Sequence, residues 1–294
     1  MFRTAVMATD LSPASQALIG AGTQLKELGV EHIVLLHCFG AMEVSSFTFA
    51  DGDMAFDQLL KRQGEKLREL GFIVAERTYT GGPQHGVQVI AEETGSDLVV
   101  IGSHGHAVRS GLHLGGRAWG IIQHATRPVL VIRLEPHGEK DARITHNDAV
   151  PITDAILFAT DFSDNAEQAM RCVTGIAERG AGTITIAHIQ DEAVIDPYLL
   201  DRRDEFSVID RGRLDDLVKH VEKVSSADVQ AILGYGKPSL ELIRLAEHSE
   251  PSLLIMGTQG KGVVRELLMG SVSHAVTRHT HCPVLLVPLT GKPQ

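Results

Sequence analysis

Residues 252–273 read SLLIMGTQGKGVVRELLMGSVS, and residues 97–118 read DLVVIGSHGHAVRSGLHLGGRA. Each is a short apolar run followed by Gly, two residues, Gly, nine residues and Gly. The glycines are Gly257, Gly260 and Gly270 in the later stretch and Gly102, Gly105 and Gly115 in the earlier one. A short Val/Ile/Leu run ended by glycine has the pattern of a strand buried on both faces of a parallel sheet. The two stretches part company at the end, where Ser271, Val272 and Ser273 stand opposite Gly116, Arg117 and Ala118.

Working outward, the likeness continues. TAVMATDLSPAS at 4–15 matches AILFATDFSDNA at 155–166, pairing Asp10 with Asp161 at an offset of 151, and IVLLHC at 33–38 matches ITIAHI at 184–189 at the same offset. The glycine stretches, and RPVLVIR at 127–133 with CPVLLVP at 282–288, are offset by 155. Four extra residues therefore lie between His188 and Gly236, where the second copy carries the polar segment DEAVIDPYLLDRRDEF. So long a period is a duplicated domain and not a solenoid. The expected domains are 1–136 and 151–290, joined by the polar stretch EPHGEKDARITHNDAVP.

Composition agrees with two domains, each with its own core: 294 residues, 43% hydrophobic and 22% charged. A net charge of −10 disfavours attraction to nucleic acid or to an anionic membrane. No apolar run reaches the roughly 20 residues of a membrane span, and MFRTAVMATD lacks the apolar core of a signal peptide, so a cytoplasmic location is expected. Cys38, Cys172 and Cys282, an odd number without CxxC spacing, read as reduced thiols.

Within each copy, short apolar runs alternate with amphipathic stretches. In the first, strands are expected near 4–9, 32–38, 73–78, 98–102 and 129–133, all as strands buried on both faces. Ser12 or Asp10 is placed to cap the first helix, with Pro13 in its first turn, and Ser163 or Asp164 does the same in the second copy. Five strands with helical connections predict a doubly wound α/β domain of three layers, twice over. Ligands of such sheets bind beyond the carboxyl ends of the strands, where the winding reverses. If the first and fourth strands are neighbours there, Asp161 and the loop at Gly257 face one crevice. Ser271 and Ser273 would then add hydroxyls at a helix N-terminus, and the combination suits a nucleotide.

The plain alternative makes the glycines turn punctuation and Asp161 a helix cap. Spacing, serines and the strand-end Asp in one order speak against it. GTQGKG is not a Walker A loop, since Lys261 is followed by Gly262, and no GxGxxG follows the first strand.

On these residues the chain resembles a tandem member of the universal stress protein family, in its ATP-binding branch. The match is carried by ATDFS, the AHI strand end, GKP at 236–238, the strand into MGTQG, Gly270–Ser271 and HCPVLLVP. The resemblance implies an adenine nucleotide alpha-hydrolase-like fold, with the two domains related by a pseudo-twofold through their final strands. It implies a site for ATP, ADP or AMP, with or without Mg²⁺, at Ala159, Thr160, Asp161, the backbone of Ile189, Met256, Gly257, Gly260, Gly270, Ser271, Val272 and Ser273. The first copy retains Asp10, Cys38, Gly102, Gly105 and Gly115 and offers Gly116, but by resemblance its site is degenerate. Arg117 still brings charge to it.

His104, His106 and His113 crowd the first glycine loop, and His279, His281 and Cys282 precede the last strand, without a recognisable zinc pattern; no metal site is expected. His37 and His188 occupy equivalent positions, which points to a shared structural role. The segments 41–56 and 191–206 read as flexible lids or plain surface loops. No catalytic constellation stands out, and phosphoryl transfer would have at most Lys261, Arg265 and Asp161. The leading expectation is a stress-response sensor or switch that binds adenine nucleotide in its second domain and acts on a protein partner, with homodimerisation left open. A slow ATPase or nucleotidyl-transfer enzyme, and a scaffold with vestigial sites, are the alternatives.

Overall fold

The computed structural model of the chain describes residues 1–40, 51–103, 114–137, 141–145, 150–195, 202–260 and 269–289. It divides into two compact units, Met1–Ala149 and Val150–Gln294.

The first unit is built on five parallel strands: β1 (Thr4–Thr9), β2 (His32–Phe39), β3 (Ile73–Thr80), β4 (Leu98–Gly102) and β5 (Val129–Ile132). They lie in the order β5-β4-β1-β2-β3. The described helices are α1 (Pro13–Gly20), α2 (Gly22–Glu27), α3 (Asp51–Glu69), α4 (Pro83–Glu93) and α5 (Gly116–Gln123). All five strands fall within two residues of the bounds the sequence predicts. β4 and β5 are buried nearly throughout, as continuous apolar runs require, whereas β3 alternates between exposed and half-buried positions. The expectation of burial on both faces fails for β3 because it is the outer strand of its unit. Glu76 on it pairs with Arg68 of α3 at 2.8 Å, and Ile73 is left exposed. The polar stretch after β5 is no open linker: β6 (Leu134–His137) and β7 (Asp141–Ile144) pair as an antiparallel hairpin, against which α1 packs.

The second unit repeats the plan with β8 (Ala155–Ala159), β9 (Thr183–Asp191), β10 (Asp228–Gly236), β11 (Leu253–Gly257) and β12 (Val284–Val287), in the order β10-β9-β8-β11-β12. Its helices are α6 (Asp164–Ala177), α7 (Glu192–Ile195), α8 (Arg203–Glu222), α9 (Pro238–Ser249) and α10 (Ser271–His279). Ser12 and Ser163, and not the neighbouring aspartates, are the N-caps, accepting from Ser15 N–H at 3.3 Å and Ala166 N–H at 3.2 Å.

Apart from Asp191, the last residue of β9, the two segments read as lids or loops are helical where described. Residues 51–56 open the long α3, and 192–195 and 203–206 belong to α7 and α8. The amphipathic pattern of DQLLKRQGEKLREL carries the helix back past its apolar start, since propagation adds one hydrogen bond per residue once a nucleus exists. Residues 41–50 and 196–201 lie outside the described residues.

Candidate functional site

β8 and β11 are direct neighbours, with Met256 beside Ala159. The first and fourth strands of the second unit thus flank the point where the winding reverses, and the cleft expected there is present. It measures about 740 Å³, within the range of small-molecule sites. Ala159, Thr160, Asp161, Ile189, Met256, Gly257, Gly260, Gly270, Ser271, Val272 and Ser273 all line it.

Asp161 is aimed by a strained turn. Phe162, directly after it, has φ of +58°, and Leu11, its equivalent in the first unit, has +61°. A bulky residue in the left-handed region costs about 1–3 kcal/mol, and here the same position carries the strain twice. Each turn is held by its own side chains: Thr160 Oγ1 accepts from Phe162 N–H at 3.0 Å and Asp161 Oδ1 from Ser163 N–H at 3.1 Å. Thr9 and Asp10 make the matching pair of bonds.

The glycine loop approaches both neighbours too closely for a side chain. A Cβ on Gly260 would lie 2.5 Å from Asp161 Oδ2, and one on Gly257 would lie 2.7 Å from Asn165 Oδ1. Asn165, only 3% exposed, locks that loop. Its Oδ1 accepts from Gln259 N–H at 2.7 Å, and its Nδ2 donates to Val287 O at 2.8 Å. Sequence reasoning missed Asn165. The available signal was its partner at the 151 offset, Ala14, which cannot do the same.

At the far side of the loop, Gly270 N–H donates to Thr258 O at 2.7 Å and Gly270 becomes the N-cap of α10, with no side-chain cap. The first-turn amides, at the positive end of the helix dipole, are thereby left to whatever enters the cleft. The two serines divide their roles. Ser273 is 3% exposed and its Oγ donates to Thr258 O at 2.7 Å, so its hydroxyl braces the loop; Ser271, at the first helical position, is exposed.

The outer wall comes from α8, which the sequence did not place. Asp210 Oδ2 accepts from Gln190 Nε2 at 2.9 Å and lies 3.7 Å from His188 Nε2, while Arg213 lies 3.6 Å from Oδ1 and 5.4 Å from the centre of the Phe162 ring. His188 Nδ1 is 2.8 Å from Thr160 O and His37 Nδ1 is 2.9 Å from Thr9 O; since a carbonyl only accepts, both rings donate there and tie the second strand to the first. Their equivalence is structural, although His188 also lines the cleft.

In the first unit Asp10, Cys38, Gly102, Gly115 and Gly116 line a separate cavity of about 290 Å³. Gly105, His104, His106 and His113 lie outside the described residues, as do Lys261 and Arg265. Among the described residues no three His, Cys, Asp or Glu side chains gather as a metal site, and no helix is long and apolar enough to cross a membrane.

A family model described as the universal stress protein family matches residues 1–133 and again 153–288. A universal stress protein of Methanocaldococcus jannaschii is 28% identical over 156 residues, covering 45% of this chain and 93% of the relative. The Bacillus subtilis universal stress protein YxiE is 29% identical over 146 residues, covering 45% of this chain and 97% of its own length. A solved universal stress protein from Archaeoglobus fulgidus shares the fold along 98% of both chains, with a TM-score of 0.68 at 21% identity. Single-domain relatives thus match about half of this chain, and the family's model fits it twice over. Duplicated sheet, strand-end aspartates and paired glycine loops together make the chain a tandem member of the universal stress protein family.

Proposed function

We propose that the second unit binds an adenine nucleotide, ATP, ADP or AMP, and that occupancy of the cleft is what the protein reports to a partner in a stress response. The observation that carries this reading is convergence: the strand-end carboxylate of Asp161, the glycine loop and the uncapped amides of α10 line one cleft of about 740 Å³. Amides at a helix N-terminus suit phosphate, and a carboxylate suits the hydroxyls of a ribose. Ile189, Ile195, Pro238 and Leu242 add apolar wall for a base. Mg²⁺ would enter on the phosphates, and the carboxylates that line the cleft among the described residues are Asp161, Asp191 and Asp210.

The test is to extract the purified protein and identify any bound nucleotide by mass and absorbance, and to melt the stripped protein with and without Mg·ATP. Bound adenine nucleotide, or a melting temperature that rises with ATP concentration, is expected, because a ligand of the native state stabilises it by mass action. An empty extract together with an unchanged melt would overturn the reading.

A further inference from the structure

The cavity of the first unit is a different kind of site. At about 290 Å³ it falls at the lower limit for small-ligand pockets, against about 740 Å³ in the second unit. One cause is legible residue by residue. Leu36 lines the first cavity at the position where Ala187 lines the second, 151 residues on. Leu18, Ile101 and Ile121, all buried, complete an apolar interior. Cys38 stands where the second unit has Ile189, and burial pushes its thiol up to about 11, so at neutral pH it is an uncharged wall.

The polar groups have also been redistributed. Ser15 Oγ donates to Asp10 Oδ1 at 2.5 Å, joining the Ser12 N–H already there. At Ser15's position the second unit has Ala166, which offers Asp161 no hydroxyl. At the mouth, Arg117 takes the place of Val272. It lies in the first turn of α5, whose N-cap Gly115 provides no side-chain cap, and its charge is felt at the Cys38 thiol across the cavity. Arg117 has no carboxylate partner among the described residues.

We propose that the first unit binds a compact apolar monocarboxylic acid, with its hydrocarbon among Leu18, Leu36, Ile101 and Ile121 and its carboxylate at Arg117 and the first-turn amides of α5. At about 290 Å³ the cavity suits a compact ligand better than ribose and three phosphates, and the carboxylate of Asp10 on its wall is already taken by Ser12 and Ser15. A guanidinium beside free helix amides holds a single carboxylate well. None of these residues takes part in the nucleotide reading of the second unit, so either can fail without the other.

The chain's one tryptophan is Trp119, two residues beyond Arg117 on α5. The full chain would be titrated with octanoate, with octanol as its uncharged counterpart and with Mg·ATP, following the heat of binding, with Trp119 emission as a second readout. Octanoate is expected to give a saturable change, with octanol about tenfold weaker for want of the charged contacts. Arg117→Ala should lower octanoate to the level of octanol while leaving octanol and the thermal melt unchanged. No saturable heat up to about 10 mM octanoate, a range that reaches binding energies as weak as roughly 3 kcal/mol, would overturn the proposal. So would equal binding of octanol, or a Trp119 signal saturated by Mg·ATP instead.

Discussion

Replacing Asn165 by alanine isolates the lock on the glycine loop from the groups that line the cleft. The side chain is buried and makes two good hydrogen bonds, to Gln259 N–H at 2.7 Å and Val287 O at 2.8 Å. Val287 O also accepts from Thr258 N–H at 2.9 Å, so it keeps a partner, and the larger loss falls on the Gln259 amide. One weakened buried amide and a small void together cost about 1–3 kcal/mol. Because the loop following β11 is where the cost is paid, much of it should appear as lost loop order and reach the ligand as a fall in affinity of roughly 5- to 100-fold. Calorimetric titration with Mg·ATP reads the affinity, and a denaturant melt of the same samples reads the stability. Gly257→Ala supplies a cross-check, because its Cβ would meet Asn165 Oδ1 at 2.7 Å; combined with Asn165→Ala, part of that clash disappears and the two costs should be less than additive. Nucleotide affinity within twofold of the parent, in a variant whose stability has dropped as expected, would refute the claim that Asn165 shapes the site.

Ser271→Ala should weaken nucleotide binding with almost no change in melting, whereas Ser273→Ala, which removes the 2.7 Å bond to Thr258 O, should cost about 0.5–1.5 kcal/mol of stability first; equal effects of both would show that their roles are not divided. His274 of α10 titrates below the ordinary histidine range, through partial burial and then the charges of Arg278 and His279. The unfolded chain therefore takes up the proton more readily, so this residue's contribution declines as pH falls through the ordinary histidine range, and His274→Gln should flatten the fall in melting temperature between pH 7.5 and about 5.5. Phosphates at the N-terminus of α10 should move the same titration upward in NMR spectra, an effect that vanishes if nucleotide binds elsewhere. Burial raises the Cys38 thiol to about 11 and the Cys172 thiol to about 12, so neither should react with iodoacetamide at pH 7.5 until denaturant is added; prompt labelling of the native protein, read by intact mass, would contradict that burial.

Most of the sheet was legible because buried parallel strands leave continuous apolar runs, and because each was written twice. The exception is β3, for a physical reason: its apolar start IVA reads like a buried strand, and its place at the edge is fixed by which strands pair with it, as the half-buried Glu76 and the exposed Arg77 then show. Strand-end residues of the cleft were legible from order and spacing, since Asp161 and Gly257 end neighbouring strands. The outer wall was not. Asp210 and Arg213 sit on α8, downstream of the segment where the second copy is longer, and the turn of a helix that faces a cleft depends on packing that periodicity alone leaves undetermined. Asn165 was hidden differently, in a position where the function of the residue is to hold backbone and not to meet ligand.

The duplication keeps its framework and varies its contents. Both units preserve the left-handed residue after the strand-end aspartate, the histidine that ties the second strand to the first, and the glycine whose amide reaches the loop carbonyl before the fifth helix. These positions hold backbone in place, and changing any of them would disturb whichever ligand the sheet carries. The differences fall on side chains that meet the cavity: Leu36 against Ala187, Cys38 against Ile189, Ser15 against Ala166, Arg117 against Val272. Leu36 subtracts volume, Ser15 occupies the aspartate and Arg117 moves charge to the mouth, whereas Cys38 is smaller than Ile189 and gives a little volume back. A site that had merely decayed would accumulate changes without direction, yet the changes at Leu36, Ser15 and Arg117 act together to make a smaller cavity with its aspartate occupied and a cation at its mouth. Grafting them backwards is the sharpest check on that reasoning: Leu36→Ala with Arg117→Val should enlarge the first cavity and remove the preference for octanoate over octanol, while leaving nucleotide binding by the second unit as it was.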